Sequence, residues 1–195
     1  EEEWIKVESY RQVQKTWQNA IGVFHEDVLG NCHGGWVKLP VGEEVDVKNE
    51  RLKIAAEIKN KFNTLKGNSK KNFRDEHYLW REKNEEYTFY YVEMLTKKSI
   101  CSKNWKPKGC KTPDDDKIIH ISGDQFYDLV TGEKGSMAKV LKELERVLPS
   151  LLKEASLKGG KAIQDTLEMQ TRAEMTKSHS DTIIDHFIKI GSHTN

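Results

Sequence analysis

The chain has 195 residues, enough for one domain of ordinary size whose core needs no disulfide or metal staple. Charged residues make up 32% and apolar residues 36%, but the apolar ones fall in periodic blocks, which excludes wholesale disorder. The net charge is only +1, so any nucleic-acid surface has to come from local clustering of Lys and Arg.

Three cysteines, Cys32, Cys101 and Cys110, are an odd number without regular spacing. No signal-peptide pattern opens the sequence, and no apolar run is long enough to span a membrane. The expectation is a reduced, cytoplasmic protein of prokaryotic type with no membrane partner. Glu1-Glu2-Glu3 lacks an initiating Met and leads straight into helical sequence, as in a chain that begins inside a longer native protein.

In chain order, Ile5, Val13, Trp17, Ile21, Phe24 and Val28 recur near helical spacing and predict a long helix over 4–29, stopped at Gly30-Asn31. Trp36-Val37 and Leu39 start an extended segment before Pro40. Val45-Asp46-Val47 and the run from Leu52 to Ile58 read as two strands of an antiparallel hairpin, with Asn49 and Glu50 at its turn. Residues 59–74 are polar and basic, and residues 75–83 suit a short helix. The run from Thr88 to Leu95 is the clearest buried strand. A long loop over 96–116 leads to a strand over 117–121, and Gly123-Asp124 opens a helix through Val130. The Leu-rich stripe from Met137 to Leu152 predicts an amphipathic helix over 136–158, broken or kinked at Pro149. Gly159-Gly160 is a hinge candidate, and 161–190 is again helical in pattern. Together these give a mixed α/β domain, a small sheet flanked by helices. The expected organisation is a single domain over 1–195: the helix 4–29, a sheet over 36–121 and C-terminal helices over 124–190.

The chemistry concentrates in Val45-Asp46-Val47 and Ala55-Ala56-Glu57-Ile58-Lys59. Glu57 and Lys59, two apart on a strand, project from one face, and Ile58 points the other way. A hairpin brings Asp46 beside Glu57. Two carboxylates supply hard ligands for Mg²⁺. The metal activates a water, and the Lys neutralises charge that builds on the phosphate. Glu-x-Lys triplets are also common on exposed strands, so the spacing alone does not decide. Lys61, Lys66, Lys70, Lys71 and Arg74 form a basic segment interleaved with Asn60, Asn63, Thr64, Asn68 and Ser69, types that bond phosphates and base edges. The alternative reading of that segment is a solvated loop.

The run Ala56-Glu57-Ile58-Lys59-Asn60-Lys61-Phe62-Asn63-Thr64, with Lys66-Gly67 after it, resembles the signature of the SinI-like type II restriction endonucleases. The resemblance extends upstream to Glu3-Trp4-Ile5, to Arg11 through His25, and to Leu29-Gly30 and Gly35-Trp36. Downstream it takes in the block from Gly123-Asp124 to Thr131-Gly132, so it covers most of residues 3–150. It implies a PD-(D/E)xK fold and Mg²⁺-dependent hydrolysis of double-stranded DNA at GGWCC or GGNCC, leaving 5′-phosphate and 3′-hydroxyl ends. It also implies a homodimer on a palindromic site, and a cognate DNA methyltransferase that acts on the same site without stable binding. By residue, it implies that Asp46 and Glu57 hold the metal and Lys59 is the catalytic lysine. Lys61, Asn63, Thr64, Ser69, Lys70 and Lys71 are the DNA-contact candidates. The sequence departs from the pattern at Phe62, where the family has His, at Val45, where the nominal motif has Pro, and at Glu26, where Gln is expected. Two other readings are a repair or structure-specific nuclease on the same fold, and a non-catalytic DNA-binding protein.

Cys101, Cys110 and His120 match no standard zinc spacing and read as loop and strand residues. His25 and Glu26 read as a helix-surface pair, with assistance to the active site as the alternative. Trp4 and Trp17 read as core residues, and Asp114-Asp115-Asp116 as a solvated loop. The Leu-rich stripe reads as core, with a dimer interface as its alternative.

Overall fold

A computed structural model describes residues 2–61 and 67–158. Within them, helix α1 (Glu2–Gly30) is followed by strands β1 (Trp36–Lys38), β2 (Val47–Asn49) and β3 (Ile54–Lys61). Helix α2 (Gly67–Lys83) comes next, then β4 (Thr88–Leu95), β5 (Lys103–Asn104) and β6 (Ile118–Ser122), and finally helices α3 (Gly123–Thr131) and α4 (Ser136–Lys158). The chain divides into two compact units, 1–132 and 133–195. In the first, six strands among the described residues form one sheet in the order β1-β2-β3-β4-β6-β5. The expected antiparallel hairpin is β2–β3. β3 and β4 are parallel, as are β4 and β6, so α2 serves as the crossover that a parallel pair requires.

β4 is central and buried along its length except at its ends, as expected of a parallel strand covered on both faces. On one face Ala55, Phe89, Tyr91, Trp105 and Ile118 form a core, with Phe73, Tyr78 and Trp80 of α2 packed against it. Tyr91 and Trp105 stack at 4.2 Å, an arrangement that contributes about 0.5–1.5 kcal/mol beyond burial. On the other face Phe126 of α3 meets Trp36 and Tyr90 edge-on or tilted. α1 reaches the same side through His25, which contacts Tyr127. Gly30 lets the last turn of α1 press on β1, since a Cβ there would stand 2.5 Å from the Lys38 backbone nitrogen. This approach fixes where Glu26, one turn earlier, sits over the sheet.

Several elements differ from the sequence-based expectation. α2 begins at Gly67, eight residues before the expected start at 75, so residues 67–74 of the basic stretch are helical. Its polar composition hides an amphipathic helix whose inward side is the half-buried Phe73 and the buried Arg74 and His77. The long loop contains the two-residue strand β5, paired with β6. α4 runs through Pro149 without a break; in the second unit Met137 and Leu141 are buried, in line with the expected apolar stripe. Trp4, expected in the core, is 69% exposed in the single chain. Phe62, Asn63, Thr64, Lys66, Gly159-Gly160 and the helical pattern over 161–190 lie outside the described residues.

Arg74 also departs from expectation, because it is fully buried and does not face solvent with the other basic residues. Its guanidinium donates to the Trp105 carbonyl at 3.3 Å, Thr112 Oγ1 at 2.5 Å and the Pro113 carbonyl at 2.8 Å. Asp75 accepts the backbone N–H groups of Lys111 and Thr112. The two residues pin the loop between β5 and β6 onto α2. Arg74→Ala therefore strands buried acceptors and is expected to destabilise the fold by about 3–5 kcal/mol. Thermal denaturation measures this, and a melting temperature within a degree of the parent contradicts it.

Candidate active site

The site forms where the β2–β3 ladder ends. Val47 pairs with Ala56, so one further step of the same register sets Asp46 opposite Glu57. The Asp46 N–H still bonds the Ala56 carbonyl at 3.0 Å. Strand β2 then stops, and the Asp46 side chain takes the place of a backbone acceptor. Its Oδ2 accepts the Ile58 N–H at 2.6 Å. That bond fixes the carboxylate beside Glu57 and satisfies a strand N–H that otherwise loses its partner.

Glu57 and Lys59 project from the same face of β3, and Lys59 Nζ donates to Glu57 Oε1. The Glu57 side chain is only 13% exposed. Burial, and after it the Asp46 carboxylate, pushes the Glu57 carboxyl up to about 7 against the opposing pull of Lys59. Lys59 Nζ also lies 5.5 Å from the centre of the Phe73 ring of α2.

The helix carboxylate is nearer than the sequence suggested. Burial and then Asp46 raise the Glu26 carboxyl, and Glu26 in turn contributes to the rise at Glu57. Lys38 of β1 holds Glu26 at 3.3 Å and Asp27 at 2.8 Å. Glu26 is therefore part of the same electrostatic group. His25 points elsewhere: it is fully buried, its Nδ1 lies 2.8 Å from the Tyr127 hydroxyl, and burial lowers its pKa to about 4. It is neutral at ordinary pH and belongs to the packing of α1 on α3.

A buried carboxyl raised by a neighbouring carboxylate makes a place that favours a cation. Among the described residues no three His, Cys, Asp or Glu side chains converge on one point as a protein cage for a metal. Mg²⁺ does not need one, since it keeps several waters and takes one or two carboxylates. Asp46 and Glu57 fit that donor set. Of the DNA-contact candidates, Lys61 ends β3, and Ser69, Lys70 and Lys71 lie in the first turns of α2, with Ser69 exposed.

A second polar group on this face is absent from the sequence-based candidates. Glu93 of β4 pairs with Lys59 in the β3–β4 register and is 4% exposed. Its Oε1 accepts the Tyr91 hydroxyl at 2.9 Å and lies 3.5 Å from Lys70 Nζ; its Oε2 lies 3.0 Å from His120 Nε2. Burial pushes the Glu93 carboxyl up, but the His120 and Tyr91 hydrogen bonds outweigh it and hold it below its ordinary value. The one signal in the sequence is a lone carboxylate inside an otherwise apolar buried strand.

A parallel β3–α2–β4 crossover, an antiparallel hairpin before it and an Asp/Glu-x-Lys set at the hairpin's end define a restriction-endonuclease-like nuclease core. The sequence matches the Eco47II restriction endonuclease family over residues 1–154, and the chain belongs to that family. It is 30% identical to the type II restriction enzyme Sau96I of Staphylococcus aureus, over 97% of this chain and 74% of that one. It is 33% identical to the type II restriction enzyme Eco47II of Escherichia coli, over 84% of this chain and 72% of that one. No solved structure matches it. The chain is thus a site-specific restriction endonuclease, as the resemblance to the SinI-like enzymes implied. No helix among the described residues is long and apolar enough to cross a membrane.

Proposed function

We propose that the chain hydrolyses double-stranded DNA with Mg²⁺ at a site made of Asp46, Glu57 and Lys59. The observation that carries this is the Asp46 carboxylate fixed on the Ile58 N–H beside a Glu57 whose carboxyl is pushed up to about 7. Asp46 and Glu57 hold the metal, and the Glu26 carboxylate adds to the field that draws it in. When bound, the ion polarises the scissile phosphate and makes water a nucleophile at neutral pH. Lys59 leaves its ion pair with Glu57 to orient that water and to offset charge on the phosphate in the transition state. The products carry 5′-phosphate and 3′-hydroxyl ends.

The site cut is a short palindrome in a GG…CC frame, GGWCC or GGNCC. Lys61, the last residue of β3, and Asn63 and Thr64, two and three positions further along the sequence, are the residue types that contact base edges in a groove. A palindrome calls for a two-fold homodimer with one active site per strand. A cognate methyltransferase acting on the same sequence protects the host DNA without binding the nuclease stably. Residues 1–195 act as a single nuclease domain; the family match supports this by running past Gly132, where the first compact unit ends, to residue 154. Digesting a plasmid of known sequence with and without Mg²⁺ and sequencing the ends tests the whole reading. Scattered ends without a common frame refute the specificity, and cutting that survives a chelator refutes the metal. One chain per site in sedimentation of the DNA complex refutes the dimer.

Lys70, Lys71 and Ser69 bind phosphates. Neutralising Lys70 and Lys71 together should weaken binding to any duplex. The slope of log affinity against log salt should fall by about 0.9 for each phosphate no longer neutralised. A salt titration of binding reads this directly. An unchanged slope places both lysines away from the DNA.

A further inference from the structure

We propose that Glu93 is a positioning residue for DNA cleavage, holding Lys70 and His120 against the backbone phosphate next to the scissile one. The proposal rests on the nuclease reading above and adds a second phosphate subsite to it. Glu93 lies beneath two partly exposed groups, with the Lys70 side chain 31% exposed and that of His120 17%. Its partners come from three elements: Tyr91 from β4, His120 from β6 and Lys70 from α2. Both carboxylate oxygens are thereby engaged. A buried carboxylate carries a desolvation cost of several kcal/mol, and an apolar side chain would fill the same place without it. The stacked Tyr91–Trp105 pair already packs this face. The charge at Glu93 therefore serves to fix the direction of the two groups above it.

The place of the cluster identifies what those groups meet. Glu93 is the register partner of Lys59, one strand away at about 4.8 Å. It also lines an open cleft with Thr96, Lys97, Lys98 and Ile100, at the carboxyl end of β4. Lys97 and Lys98 line it beside the single carboxylate, Glu93, which also engages Lys70. A strand laid across the sheet with its scissile phosphate at Glu57 and Lys59 brings its neighbouring phosphate over this cleft. Lys70 sits in the first turns of α2, close after the catalytic strand, so Glu93 also fixes the start of α2 relative to β3.

The test is single-turnover cleavage at saturating DNA and Mg²⁺, alongside DNA binding and thermal denaturation. Glu93→Gln keeps the volume and, through its side-chain oxygen, an acceptor for the Tyr91 hydroxyl, but its amide nitrogen can only donate toward His120 and it lacks the charge that holds Lys70. Its cleavage rate should fall roughly tenfold to a hundredfold, the scale of misplacing a group near the reacting centre. Its DNA affinity should change by less than about threefold, because distributed phosphate contacts hold the duplex. Lys70→Ala, a change at a partly exposed side chain, should slow cleavage similarly with no loss of fold, and the double variant should be no slower than the slower single one. Lys70→Arg should recover much of the lost rate. A lower melting temperature with an unchanged rate makes Glu93 purely structural and overturns the proposal. Multiplying losses in the double variant overturn it as well. So does recovery of Glu93→Gln by excess Mg²⁺, which would make Glu93 a metal ligand. If the unmodified protein cuts no duplex, the nuclease reading falls and this inference with it. If it cuts and Glu93→Gln cuts equally fast, only this inference falls.

Discussion

Asp46→Asn and Glu57→Ala are each expected to lower the single-turnover cleavage rate by at least about a thousandfold, roughly 4 kcal/mol of transition-state stabilisation. DNA binding is expected to stay within a few fold. The difference follows from where the free energy resides: the carboxylates act on one phosphate through the metal, whereas many contacts hold the duplex. Asn is the informative change at position 46 because the carboxylate has two roles. It accepts the Ile58 N–H at 2.6 Å, and the Asn side-chain oxygen can still do so. Asp46→Ala leaves that N–H without its acceptor, which mixes a local loss of order with the loss of a ligand. Lys59→Ala should likewise cut slowly and bind normally. Cleavage by Asp46→Asn protein at the parent rate, with gel-shift binding intact, would remove Asp46 from the chemistry.

The catalytic hairpin is legible in the sequence because its information is local. Strand alternation places Glu57 and Lys59 on one face, and a tight turn near Asn49 and Glu50 folds Asp46 back toward them. The parallel partner β4 is legible as a buried strand, but its neighbours are not, since pairing with β3 and β6 depends on contacts far apart in sequence. The start of α2 over Gly67–Arg74 is hidden for a related reason. Arg74 and His77 look like surface residues until the loop carrying Thr112 and Pro113 and the Glu44 carbonyl come to meet them. Glu93 does not announce itself because its partners lie on β6 and α2. Glu26 looks like a surface group because only the packing of α1 over the sheet brings Asp46 into its field.

Raising the pH from 5 to 8 is expected to destabilise the metal-free protein through Glu57, and Mg²⁺ is expected to reverse this. The Glu57 carboxyl stands at about 7 in the folded protein against an ordinary 4.5. The folded state therefore binds this proton more tightly than the unfolded state. The stability it contributes is fully present below pH 4.5 and is lost as pH rises through 7. The raised value corresponds to a contribution of about 3 kcal/mol, worth roughly 6–12 °C in melting temperature for a chain of this size. Other groups titrate in the same window, so the measurement is a difference between parent and Glu57→Gln protein without metal. Gln carries no proton to lose, and its melting temperature should fall less across the range. The parent should therefore lose ground to the variant as pH rises. Saturating Mg²⁺ should raise the parent's melting temperature most at pH 8, where Glu57 is ionised, and leave the variant nearly unmoved. Parallel curves for the two proteins between pH 5 and 8 would mean that Glu57 is ionised throughout. The mutual repulsion of Asp46 and Glu57 would then not be what draws the cation in.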